Sequence, residues 1–190
     1  MIHEVDQALR SLLAAELPAG SGIGISFDAP SRDWAAARNG PAVNAYLYDI
    51  REDVDRRQLG YAPVLDRGNG RLMHRPQPRW FRLSYLVSAW TGRTEEEHRL
   101  LSSLLSRFVM NEVLTPTDLP AALGALELDV PVAVFGSSSA YRYPAEIWSA
   151  LGGDLRPSID LMITAPLPAG PGTEAGPLVT EAPSIAMRRR

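Results

Sequence analysis

The chain has 190 residues, 45% of them hydrophobic, which is enough for one well-buried core and too little for two, so a single domain is expected. With no cysteine and no lysine, disulfide frameworks, thiolate nucleophiles, Cys-ligated zinc and Schiff-base chemistry are excluded. A formal charge of −3 gives no global case for nucleic acid, and no window approaches the ~20 apolar residues of a membrane span. The start, MIHEVDQALR, carries acids and no apolar run, so it does not read as a signal peptide and a cytoplasmic protein is expected.

Ile2, Val5, Leu9, Leu12, Leu13 and Leu17 recur at three- and four-residue steps and predict an amphipathic helix over residues 2–16, stopped by Pro18-Ala19-Gly20. Ile23, Ile25 and Phe27 alternate as a short strand. Ser31 suits the N-cap of a brief helix, Arg32 to Arg38, anchored by Trp34. Ala42 to Asp53 is a second strand, mostly apolar on both sides at first, with Val43, Ala45, Leu47 and Asp49 assigned to one face; such a strand belongs inside a sheet or has one face covered by a partner.

From Val54 to Pro78 the composition changes to Arg, Gly and Pro. Five arginines, Arg56, Arg57, Arg67, Arg71 and Arg75, stand against Asp55 and Asp66, a local charge of +3 in an acidic chain. A connection of that length within a compact domain is functional or disordered unless it is a hairpin arm extending its flanking strands. The segment lacks the interleaved aromatics of a single-strand nucleic-acid platform, whereas Arg suits bidentate pairing with carboxylates on a neighbouring subunit.

Residues Arg79 to Met110 read as strand, turn and helix. Phe81, Leu83, Tyr85, Val87 and Ala89 alternate with Arg82, Ser84, Leu86, Ser88 and Trp90, the period of a sheet facing the core on one side. Thr94 and Glu97 have the spacing of a capping box, Glu95 to Glu97 complement the helix dipole, and Leu100, Leu101, Leu104, Leu105, Phe108 and Val109 form one apolar face. Asn111 to Pro120 is a connection, with a short helical turn at Ala121 to Gly124. Leu126 to Val134 alternate as a strand in which Pro131 argues for an edge position. Pro144 opens a short helix ending at Gly152-Gly153, and Arg156 to Pro166 is the last strand. The fold class is therefore α+β, a single mixed or antiparallel sheet of about five strands with helices packed on it. Residues 1–167 form the domain, 54–78 its basic loop or hairpin arm, and 168–190 a disordered Pro/Gly-rich tail.

Candidate chemistry is thin. Glu95 and His98 satisfy one Glu-x-x-His spacing, but a metal needs further ligands from a second helix and no second copy exists. Ser137-Ser138-Ser139 lacks a nucleophile elbow, and the glycines Gly20, Gly22 and Gly24 precede a strand where a dinucleotide fingerprint follows one. Asp49, Glu52, Asp53 and Asp55 read as a solvated strand end. No catalytic, cofactor or metal residue is assigned. A small hydrolase or metal enzyme using Glu95, His98 and Ser137, and a soluble adaptor binding a peptide at its sheet edge, are the alternative readings.

Three segments, PAVNAYLYDIRED (41–53), RLSYLVSAWTGRTEEEHRLLSSLL (82–105) and IWSALGGDLRPSIDLMITAPL (147–167), in this order and spacing, resemble the cap, or tail-terminator, proteins of extracellular contractile injection systems, which are phage-tail-like particles. The resemblance runs from about Ile2 to about Leu167. It implies a phage tail-terminator-like fold, no enzyme activity and no cofactor. It also implies a structural role: a ring, expected to be a hexamer, that ends inner-tube polymerisation and contacts the last sheath layer. Partners would be further copies of the chain, tube protein and sheath protein, with no nucleic acid and no membrane insertion. Arg56, Arg57, Arg67, Arg71 and Arg75 are the expected contact residues.

Overall fold

A computed structural model of the chain describes residues 1–65, 71–134, 144–168, 170 and 173–174. By density of internal contacts it divides into two units: Met1–Arg57 with Arg79–Leu167, and Gln58–Pro78 with Pro168–Arg190.

The first unit is built on a mixed six-stranded sheet. Its strands are β1 (Gly24–Ser26), β2 (Ala42–Glu52), β5 (Arg79–Trp90), β6 (Val113–Leu114), β7 (Val130–Val134) and β8 (Ser158–Leu167), in spatial order β1-β2-β5-β8-β7-β6. Only β1 and β2 run parallel; every other neighbouring pair is antiparallel. The sixth strand is the one not anticipated. β6 is two residues long, in a segment read as a connection, and no period can show in two residues.

β5 and β8 lie at the centre of this order with β2 beside β5, and β5 takes that place because its sequence is apolar on both faces. One face carries Val43, Ala45, Leu83, Tyr85, Val87, Leu161 and Ile163, buried under helices α1 (Ile2–Ala14) and α3 (Thr94–Met110). α1 contributes Val5, Ala8, Leu9, Leu12 and Leu13, all buried, and each leucine so covered adds about 1.5–3 kcal/mol of transfer free energy. α3 contributes Leu104 and Phe108. The Tyr85 hydroxyl donates to Asp6 on α1 at 2.8 Å, tying the helix to the central strand.

The other face is also covered, contrary to the one-sided reading of β5. Leu86 and Trp90 pack with Ile147 and Trp148 of α5 (Pro144–Ala150), and Trp34 of α2 (Arg32–Ala37) joins them. Trp34 meets Trp90 edge-on at 5.2 Å between ring centroids, and Trp148 lies 6.1 Å from Trp90. Three of the four tryptophans thus form a second, smaller core. Gly152, at φ +68°, closes α5 in a Schellman turn: the Gly153 N–H donates to the Trp148 carbonyl and the Gly152 N–H to that of Ser149.

Local corrections have identifiable causes. A β-bulge between Leu47 and Asp49 shifts the parity of β2, so Asp49 pairs with Ser84 and leaves the face occupied by Leu47. The expected Thr94 capping box does not form. Arg93, at φ −138° and ψ 128°, is the N-cap, so the helix starts one residue early and the Glu97 carboxylate accepts the Thr91 N–H at 3.1 Å instead. Ser31 does cap α2, accepting the Trp34 N–H. β7 begins at Val130 because Glu127 takes φ +55° and breaks the extended run, and Pro131 lies one strand inside the edge, opposite Val113. The helical turn α4 (Ala121–Gly124) ends on a glycine whose Cβ would meet the Pro116 carbonyl oxygen at 2.6 Å.

The second unit contains a hairpin, β3 (Tyr61–Leu65) and β4 (Leu72–Pro76), extended by the two-residue β9 (Thr173–Glu174) on the outer side of β4. Most of the segment expected to be a disordered tail, 168–190, lies outside the described residues, as do Arg67 and the Ser137–Ser139 loop.

Candidate interaction surface

The acidic end of β2 is a paired charge network, not a solvated edge. Glu52 accepts from Arg57 Nε at 2.9 Å and Arg79 Nε at 2.8 Å, with the second nitrogen of each guanidinium on its other oxygen. These hydrogen bonds, first from Arg57 and then from Arg79, hold the Glu52 carboxyl down at about 2, and the same pairing raises Arg57. Alongside, Arg82 binds the buried Asp53 at 2.6 Å and reaches Asp55 at 3.3 Å. Donating this hydrogen bond to the Asp53 carboxylate raises Arg82 above its ordinary value. Arg56 pairs with Asp53 at 3.6 Å and lies over the Trp80 ring at 5.2 Å. Arg57 and Arg79 are the residues at which the chain leaves the first unit and re-enters it, so one carboxylate clasps both.

This divides the arginines singled out from the sequence. Arg56 and Arg57 are engaged at the root of the hairpin. Arg71 and Arg75 belong to the hairpin region, Arg75 being exposed on β4 without an ion-pair partner among the described residues. Sequence reasoning missed Glu52 and Arg79 as a pair. The available signal was their position: an acid and an Arg flanking the boundaries of a Gly/Pro-rich insertion.

The Glu-x-x-His spacing assembles no site. Glu97 is buried and pairs with Arg156 at 3.4 Å, and Arg156 stacks over Trp90 at 4.2 Å; Glu95, Glu96 and His98 are exposed. No three His, Asp or Glu side chains among the described residues are placed to hold a metal ion. The glycines Gly20 and Gly22 line a shallow groove between the end of α1 and β1, with no helix following as a dinucleotide turn needs. Among the described residues no helix is long and apolar enough to cross a membrane.

Exposed apolar side chains collect on the hairpin. Leu59 is 92% exposed and Tyr61 62%, followed by Leu72 at 40% and Val64 at 36%. A smaller group, Val109, Met110 and Val113, sits at the end of α3 and the start of β6.

These features define an α+β domain organised on one mixed sheet, interrupted by a clasped hairpin that carries exposed apolar and cationic groups. The chain belongs to the family described as the Pvc16 N-terminal domain, which matches residues 4–181. Two solved structures share the fold. A sheath/tube terminator of an extracellular contractile injection system (PVC), in its extended state, is 23% identical, covers 100% of this chain and aligns with a TM-score of 0.72. The tube-terminating cap of the anti-feeding prophage is 22% identical, covers 95% and aligns at 0.66. The chain spans 64% and 60% of those two proteins. No curated protein matches it.

Proposed function

We propose that this chain is a structural cap, or terminator, of a contractile injection system, forming a ring that ends inner-tube polymerisation and contacts the distal sheath layer. The observation that carries the reading is the family match over residues 4–181, supported by the likeness of the whole fold to two tube-terminating proteins. The two cores on opposite faces of the sheet serve rigidity. On this reading residues 1–167 are the terminator-like domain, the hairpin is an arm spanning 54–78, and 168–190 is a tail. Arg71 and Arg75 with Arg67 supply contacts to a neighbouring copy, tube or sheath, while Arg56 and Arg57 act by holding the root. Partners are further copies, tube protein and sheath protein, and assembly takes place in the cytoplasm with no cofactor and no catalytic step.

Ring closure by identical subunits requires head-to-tail contacts, in which one patch meets a different patch on the next copy. Light scattering of the chain alone and with tube protein tests this. Six copies of a 20.7 kDa chain give about 124 kDa, and electron micrographs of the mixture should show tubes blocked at one end. A chain that stays monomeric and never associates with tube or sheath protein overturns the proposal.

A further inference from the structure

The charge and apolar exposure of the hairpin point to a specific occupant: we infer that the β3–β4 hairpin of one copy docks on the first unit of a second copy. This rests on the ring reading above and names the contact that closes it.

The strand register separates the two faces of the hairpin. Tyr61 lies opposite Pro76, Pro63 opposite His74, and Ala62 opposite Arg75. Side chains directly opposite share a face and neighbours along a strand alternate, so Tyr61, Pro63 and Leu72 share one face, and Val64 and Arg75 the other. Both faces carry exposed residues, and a hairpin with only a two-residue third strand has too little core of its own to be more than marginally stable. An exposed apolar strip on such an element marks a surface for another molecule.

Charge selects the second copy. Residues 1–57 and 79–167 hold 13 arginines against 19 acids, a net −6, whereas 58–78 hold three arginines against one aspartate, a net +2. First units therefore repel one another and attract hairpins, which favours a contact between unlike patches over a self-complementary one. That is the head-to-tail geometry a ring requires. Arg75, exposed on β4, is placed to meet a carboxylate, whereas Arg56 and Arg57 are taken by Asp53 and Glu52.

The absence of cysteine makes the test direct. Tyr61→Cys and, separately, Gln58→Cys each give the full chain a single thiol at an exposed position, to be carrying a benzophenone photo-crosslinker. Copies labelled with heavy and light nitrogen are mixed with tube protein, illuminated and mapped by mass spectrometry, with light scattering on the same sample. Crosslinks of mixed isotope from the hairpin to residues 1–57 or 79–167 are expected from both positions. In the unlabelled full chain, Arg75→Glu should raise the concentration for half-assembly roughly threefold to tenfold at low salt, with the difference shrinking as salt rises. If rings form but the crosslinks stay within one copy or run only to tube protein, the docking inference is wrong and the ring reading stands. If no assembly larger than one copy forms even with tube protein, the ring reading fails and takes this inference with it.

Discussion

Glu52 shows how much one side chain can organise. Both of its oxygens are used by two guanidiniums from opposite ends of a long insertion, so a loop closure that would otherwise rely on backbone pairing is fastened by charge-assisted hydrogen bonds. Its carboxyl is held at about 2, below its ordinary 4.5, so the folded state binds fewer protons than the unfolded one between those values. The clasp is accordingly complete above about pH 4.5 and is lost as the pH falls towards 2. Glu52→Gln keeps the shape and removes the charge. Hydrogen exchange at residues 58–60 and at Gln77, whose N–H donates to the Gly60 carbonyl, should be faster in this variant at pH 7, and the gap from the unsubstituted chain should narrow in acid as the native carboxylate takes up its proton. Equal exchange at pH 7 would show that the backbone alone holds the root.

At the scale of elements, helix α3 has an unequal apolar face. Leu104 and Phe108 are buried against the sheet, while Val109 and Met110, next in sequence, are exposed. Phe108→Ala should cost about 3–5 kcal/mol, whereas Met110→Ser should stay within about 0.5 kcal/mol, both read from urea unfolding. The same contrast explains what was legible in the sequence. α1, β2, β5 and β8 are long and periodic, and their signals come from burial that the pattern records directly. The bulge at Leu47/Asp49, the left-handed Glu127 and the early start of α3 leave no periodic trace, because each depends on where a neighbouring element sits. The tryptophan core was hidden differently: Trp34, Trp90 and Trp148 belong to three elements distant in sequence, and only the sheet topology brings them together. The candidate site was half legible, since an excess of arginine was visible but its partition between Glu52, Asp53 and the hairpin was not.

At the scale of the molecule, two different demands fall on two parts of the chain. The first unit is stabilised by the packing of α1 and α3 together on one face of the sheet and of the tryptophan cluster on the other, and β2 and β5 stay paired up to Glu52 opposite Phe81. Beyond that pair the Asp53 N–H donates to the Trp80 carbonyl at 2.8 Å, so the two chain ends at the root are already adjacent without the hairpin. Replacing residues 58–78 by a short Gly-Ser turn should therefore leave a cooperatively unfolding first unit with its near-ultraviolet tryptophan signal intact, because Trp34, Trp90 and Trp148 all lie within it. The shortened chain should fail to form rings with tube protein, since the element that carries exposed Leu59, Tyr61 and Arg75 is gone. Circular dichroism and light scattering on the same preparation separate the outcomes. A folded variant that still assembles to the full mass would mean that the sheet edges, not the hairpin, make the contact between copies.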